Sequence, residues 1–354
     1  MTVDADTPLA RPAPDLRKPV DWWRVGRIAV GWLVAVALLG LVFLASLSVG
    51  STSIPFTTVW QALWSFDHSD EHIIVRDMRL PRTVLGLVVG AALGVGGALI
   101  QAMTRNPLAD PGILGVNAGA AFFVALAVGV LGFTDIRVYV WFAFIGAILV
   151  MVLVYALGSS GRGGATPIRL TLSGVAVGAV LTGVTSGLVL LDPTAFATMR
   201  SWNAGSIAGR GFDVTNSVLP FIVIGLVLTV LIARPLNAVA LGDDLARSLG
   251  ADVNRTRLIG VVAVTLLCGA ATAAAGPIVF LGLMVPHVAR WIVGPDQRWI
   301  MAYTVVGAPT LLLVSDIVGR LVVRPGELQV GIVSALIGAP VLILLVRRGK
   351  ASGL

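Results

Sequence analysis

The chain has 354 residues, of which 57% are hydrophobic and only 12% charged, with a formal net charge of +7. Ordinary soluble domains are about half apolar and about a quarter charged, so a soluble domain is excluded. At about 20 residues per crossing, the apolar content supplies roughly ten membrane spans and leaves too little chain for a second folded domain.

In chain order, residues 1–27 are rich in proline and charge, lack apolar periodicity and read as a disordered cytoplasmic tail. The hydropathy then predicts ten spans at about 28–50, 83–103, 112–133, 138–158, 170–191, 216–233, 258–276, 277–293, 300–322 and 328–346. No charge falls between Leu258 and Ala289, and the break is placed at Gly276-Pro277 because proline cannot continue the helical ladder. Of the 25 Lys and Arg residues, 17 fall on the side of the N-terminus and 8 on the other. The positive-inside bias then puts both termini in the cytoplasm of a multi-pass protein of the cytoplasmic membrane. The expected fold is an all-α polytopic bundle over 28–348, with a cytoplasmic connector at about 236–254.

Small residues recur at every fourth position in three spans: Gly86, Gly90 and Gly94; Ala179, Gly183 and Gly187; Gly331, Ala335 and Ala339. Such stripes let helix backbones approach closely. No Asp, Glu, Lys or Arg falls near the middle of a span, which disfavours ion-coupled transport. The glycine-rich stretch Gly158–Gly164 lacks the lysine of a phosphate-binding loop. The chain is therefore expected not to be an enzyme and to carry no cofactor of its own, with ATP and Mg²⁺ bound in a partner. The single cysteine, Cys268, lies inside an apolar run and excludes both an intrachain disulfide and a cysteine metal site.

Three arginines, Arg76, Arg79 and Arg82, stand on the outer side at the start of the second span, where the charge bias and the helix dipole both disfavour them. They read either as groups paired with Asp77 or lipid phosphate, or as a docking surface for an acidic protein. Arg320 and Arg324 could join that surface. His68 and His72 are spaced i, i+4 in an outer loop; the pattern reads as a surface turn, with a metal site as the alternative. No metal site is assigned. In the connector, Asp243 has N-cap chemistry, Gly250 terminates, and Leu245 and Leu249 share a face, predicting a short amphipathic helix that packs on the bundle or on another protein.

The strings RLPR (79–82), GAALGVGGALIQAMTRNPLADPGILGV (90–116), LSGVAVG (172–178), WNAGSIAG (202–209), ALGDDLARSLG (240–250), GPIVFLGLMVPHVAR (276–290), DIVGR (316–320) and PGELQVGIVSALIGAPV (325–341) resemble those of the FecCD-type permeases. These are membrane subunits of binding-protein-dependent ABC importers for iron–siderophores, haem and vitamin B12. The resemblance implies the type II importer fold, two permease copies or paralogues around a central path, two ATPase subunits below and a soluble binding protein above. It implies docking of that binding protein on Arg79, Arg82 and Arg320. ATPase coupling falls on Gly242, Asp243, Asp244, Leu245, Arg247, Leu249 and Gly250. The family's cytoplasmic gate maps to Asn106, Leu108, Pro167 and Ile168, where Pro167-Ile168 replaces the family's Ser/Thr pair. Thr171, Ser173, Thr182, Thr185 and Ser186 of the fifth span are the candidate path lining.

The expected function is inward transport of an iron–siderophore driven by partner ATPases. Haem or vitamin B12 are the alternative cargoes, and an ion-coupled carrier or a scaffold without transport are the alternatives of another class.

Overall fold

The computed structural model describes residues 22–50, 52–160, 166–324 and 326–347. The predicted tail as far as residue 21, and most of the glycine-rich stretch after Ser160, lie outside the described residues. Fourteen α-helices are described: α1 (Trp22–Ser48), α2 (Phe56–Trp64), α3 (Asp70–Ile73), α4 (Leu80–Thr104), α5 (Val116–Gly129), α6 (Ile136–Ser159), α7 (Pro167–Leu191), α8 (Pro193–Asn203), α9 (Phe212–Ala240), α10 (Asp243–Ser248), α11 (Val253–Ala275), α12 (Leu281–Val293), α13 (Gln297–Val322) and α14 (Val330–Arg347). A π-helical stretch, Ile74–Arg79, fuses α3 to α4. Seven helical segments are long and apolar enough to cross a membrane, and α5, α12 and α14 are shorter apolar helices. Together they match the ten expected spans.

Several helices begin where sequence chemistry dictates. The carboxylates of Asp135, Asp192, Asp252 and Asp296 accept from backbone N–H groups in the first turns of α6, α8, α11 and α13. Helix α1 begins at Trp22 rather than 28, so the last residues assigned to the tail are helical. The outer helices α2 and α8 are absent from the hydropathy reading because both are too short to span.

Helix α4 is the axis, surrounded by α9, α11, α12 and α13. Its glycine stripe is a packing seam. A Cβ on Gly90 would stand 2.6 Å from Pro309 Cα, and one on Gly94 would run into Ala308. Further along, Gly97 lies directly on the Gly282 backbone of α12. The stripe on α7 behaves differently, since added Cβ atoms at Gly183 and Gly187 would meet nothing within 4 Å. That face of α7 is left open.

Two stretches of irregular backbone lie inside the bundle. After α11, Gly276 adopts φ +74° against the Trp202 carbonyl, and residues 276–280 run unhelical before α12 begins. The break falls at Gly276-Pro277 as expected, but α12 starts only at Leu281. Ser206 N–H donates to Ala275 O (2.7 Å), and Gly331 N–H donates to Gly205 O (3.0 Å), covering the break from the outer side. The second stretch follows α4. Asp110, Pro111 and Gly112 border a small cavity with Leu93 and Cys268, and Leu93 stands 11 residues, about 16 Å, above the inner end of α4. The chain after α4 thus climbs back into the bundle and carries Asp110 to that depth. This corrects the expectation that the membrane interior is free of ionisable groups. Asp110 Oδ1 accepts from Gly112 N–H at 2.7 Å and so closes its own turn.

Pro286 inside α12 has no N–H for the carbonyl of Gly282. Gln101, fully buried on α4, fills the gap: its Nε2 donates to Gly282 O (3.2 Å) and Leu283 O (3.1 Å).

These contacts predict opposite outcomes for two glycines. Gly97→Val should abolish the monodisperse permease peak in detergent chromatography, since overpacking with no room to relax costs about 1–3 kcal/mol or more. Gly183→Val should leave that peak unchanged.

Candidate functional site

On the inner face the connector forms α10. Gly242, at φ +116°, is its N-cap, and Asp243 is its first residue without a capping side-chain bond. This corrects the reading of Asp243 as N-cap. Its carboxylate is used elsewhere: Oδ1 accepts from Arg105 Nη2 (3.1 Å) and from Arg257 Nη2 (2.9 Å), tying α10 to the end of α4 and the start of α11. Arg105 sits in the left-handed region at φ +52°. Its N–H and that of Asn106 bond back to Ala102 O and Gln101 O, a helix stop usually built on glycine. An arginine there costs about 1–2 kcal/mol relative to glycine, and its side chain is the one that reaches Asp243. Ala246 is buried against Val239 and Val253, whereas Leu245 and Leu249 are 48% and 63% exposed. Of the two partners the sequence left open for this face, the bundle does not cover these leucines. Asp244 and Arg247 form an exposed pair (3.4 Å), and Gly250 takes φ +81° to end the segment.

The expected gate residues follow directly. Asn106 Oδ1 accepts from Leu108 N–H (2.9 Å), a local turn immediately after Arg105. Leu108 is exposed. At the start of α7, Thr166 caps the helix through Arg169 N–H, Pro167 is the first helical residue and Ile168 is exposed.

Above these residues, a cavity of about 450 Å³ opens between α5 and α7. Both irregular stretches reach it, through Gly112 and Pro277, and Thr182, Thr185, Ser186, Asn117 and Asn203 supply its polar groups. Thr171 and Ser173 are not among its lining residues. The hydroxyls of Thr185 and Ser186 donate to Leu181 O (2.7 Å) and Thr182 O (2.9 Å) of their own helix. Asn117, whose Oδ1 accepts from Thr272 (3.1 Å), and Asn203 were not singled out by the sequence. A lone asparagine beside Val116 or after Trp202 carries no motif signal.

On the outer face Arg79, Arg82 and Arg320 converge on a cleft of about 290 Å³. All three already have partners within the chain. Arg79 is 6% exposed and donates to the carbonyls of Leu47 (2.8 Å), Ser48 (2.7 Å) and Thr52. Arg320 is 5% exposed and donates to the carbonyls of Ser46 (3.0 Å) and Val49 (2.9 Å) while pairing with Asp316 (2.9 Å). Apart from Thr52, these carbonyls lie at the C-terminal end of α1, which carries the negative end of the helix dipole and where Ser48 O also accepts from Ile54 N–H (3.0 Å). Of the arginines that looked misplaced at the start of α4, Arg79 is therefore a cap for α1, joined there by Arg320 from α13. Arg82 bonds Asp316 through Nη2 (2.6 Å) and reaches Glu327 at the rim (2.7 Å). Arg76 and Arg324 stay exposed, with Arg324 donating to Gly50 O (3.0 Å).

His72 is buried with Nδ1 2.7 Å from Asp67 Oδ1, while His68 takes φ +63°. Hydrogen bonds from Ser69 hold the Asp67 carboxyl below its ordinary range. The two histidines thus serve different ends of one local turn.

An all-helical bundle with a broken-helix cavity and an exposed inner connector defines a polytopic permease. The chain belongs to the FecCD transport family, whose model matches residues 36–348. It is 48% identical over 332 residues to the ferric enterobactin transport system permease protein FepD of Escherichia coli, covering 93% of this chain and 99% of that one. It is 39% identical to the probable siderophore transport system permease protein YfiZ of Bacillus subtilis (90% and 96% covered) and 35% identical to the hemin transport system permease protein HmuU of Yersinia pestis (92% and 96%). A solved inward-facing structure assigned to the metal-chelate type of ABC transporter superposes with a TM-score of 0.77 at 26% identity, covering 91% of this chain and 99% of that one.

The capping role makes a direct prediction. Arg79→Ala removes the side-chain donor of the buried Leu47 carbonyl and one of the two donors to Ser48 O, at about 1–3 kcal/mol for a buried unsatisfied group, and should lower the thermal midpoint of the solubilised permease. Arg76→Ala should not shift it.

Proposed function

We propose that the chain is the permease subunit of a binding-protein-dependent ABC importer that carries an iron–siderophore inward across the bacterial cytoplasmic membrane, driven by ATP hydrolysis in two partner subunits. The observation that carries this reading is α10, an inner helix with Leu245 and Leu249 uncovered and its first residue clamped to two spans. An apolar face of this size on a two-turn helix fits a groove in a partner ATPase. The clamp gives the motion of that partner a route: through Asp243 to Arg105 and on to the Asn106–Leu108 turn, and through Arg257 to α11. The open face of α7 fits a second permease copy or paralogue, so that two cavities meet in one path. Siderophore cargo is favoured by the names of the FepD and YfiZ relatives, and haem, as in HmuU, is the second cargo to assay.

For the binding protein, the geometry favours exchange over simple attraction. Glu327 occupies one edge of Arg82 at the cleft rim, and an incoming carboxylate would replace it, with Arg76 and Arg324 alongside.

Leu245→Asp should strip the ATPase from the permease during purification. Asp243→Asn should keep the ATPase bound and its basal hydrolysis intact but lower uptake of radiolabelled ferric siderophore into proteoliposomes roughly tenfold, the scale of one charge-assisted bond. Unchanged uptake would remove the clamp from the coupling route. Concentrative uptake by the lone chain under an ion gradient would overturn the ABC reading.

At the outer face, Glu327→Gln should tighten association of the binding protein with the complex and Arg82→Glu should weaken it, read by surface plasmon resonance at two salt concentrations.

A further inference from the structure

Between α9 and α13, away from the cavity and from both docking faces, lies a groove of about 470 Å³. Its walls are apolar: Val95 of α4, Leu226 and Val230 of α9, and Met301 and Val305 of α13. At one end stand two arginines, Arg234 and Arg298. Arg234 is 22 residues along α9 from Phe212, about 33 Å along the axis, so a helix whose outer end is at Phe212 brings it to the inner headgroup level. Arg298 opens α13 on that same side.

The charge balance at this end is uneven. Arg298 is held by Asp296 (2.8 Å), whose carboxylate also accepts from Asn237 (2.9 Å). The bond from Arg298 holds the Asp296 carboxyl below its ordinary range, so one anion faces two guanidinium groups. Among the described residues Arg234 has neither an ion pair nor a hydrogen bond, and it is exposed. A guanidinium at headgroup depth beside an apolar channel matches a phosphodiester with an acyl tail, and basic pockets between spans on the cytoplasmic side are suited to anionic headgroups.

We propose that this groove seats one anionic phospholipid of the inner leaflet, its phosphate between Arg234 and Arg298 and one acyl chain along Val230 and Met301. The site would grip the inner third of α9, the helix that leads directly into α10. A zwitterionic lipid of the same chain length has the same tail but brings a cation toward Arg234.

The test uses the full chain, purified and delipidated in mild detergent and titrated with phosphatidylglycerol, with phosphatidylcholine of identical acyl chains, or with inorganic phosphate, and read by native mass spectrometry. Wild-type protein should retain one phosphatidylglycerol at activation energies that strip phosphatidylcholine. Arg234→Gln should weaken that retention about fivefold, the scale of one interfacial arginine. Val230→Trp, which fills the groove and leaves the charges in place, should weaken it as well. Equal retention of the two lipids by wild type would overturn the proposal, as would retention unchanged in both variants. Displacement of phosphatidylglycerol by millimolar inorganic phosphate would also overturn it, by assigning the arginines to a free anion. The wild-type comparison needs no substitution, so a variant that fails to fold leaves the proposal exposed to refutation.

Discussion

Backbone carbonyls that end or interrupt a helix inside an apolar medium must find donors, and lipid offers none. This permease meets the constraint with side chains supplied from other spans. The last carbonyls of α1 receive Arg79 and Arg320, and the carbonyl freed by Pro286 receives Gln101. Each donor lies on an element that also packs, so backbone satisfaction and bundle geometry fix one another. Arg320 has its counter-ion buried with it: Asp316, 1% exposed, pairs with both Arg320 and Arg82.

The broken segments matter because they free space that continuous helices would fill. Residues 110–112 from the inner side and 277–278 from the outer side meet between Leu93 and Cys268, and the larger cavity opens beside them toward α7. The hydroxyls of Thr185 and Ser186 on its wall are turned back to their own helix, so much of the wall offers small residues and already-engaged hydroxyls. Such a wall suits a bulky solute that must move past it without being held. The Asp243 clamp joins the same region to the inner surface, because Arg105 is at once its ligand and the residue that ends α4.

Much of the fold was legible in the sequence. Ten spans, the break at Gly276-Pro277, the close packing of the α4 stripe and the short connector helix all follow from local pattern. What escaped depended on distance along the chain. The odd placement of Arg79 and Arg82 was evident from charge, but the groups that explain it lie 31 residues back in one case and 234 residues forward in the other. The three small-residue stripes look alike in sequence, yet α4 is packed along its stripe and α7 is open, since nothing local tells a packed stripe from an unpacked one. The re-entry after α4 was hidden because residues from Ile113 onward read as the apolar start of a span, whereas Gly115 at φ +81° ends a separate turn, Pro111–Leu114, before α5. The polar cavity residues Asn117 and Asn203 became meaningful only once the two breaks were brought together.

The pinning of α1 also has a consequence for how the protein is made. Arg79 emerges soon after the carbonyls it serves, whereas Arg320 lies 274 residues beyond Ser46. At about 5–20 residues per second of synthesis, that gap is roughly 14–55 seconds. Throughout this interval the newborn first helix holds only part of its final cap, and α13 begins to appear only near its end, at Gln297. Its Trp32 and Ile28 anchors likewise await Ala302 and Tyr303. Biogenesis therefore ends by fastening the first segment made to nearly the last, a late latch that closes the ring of helices.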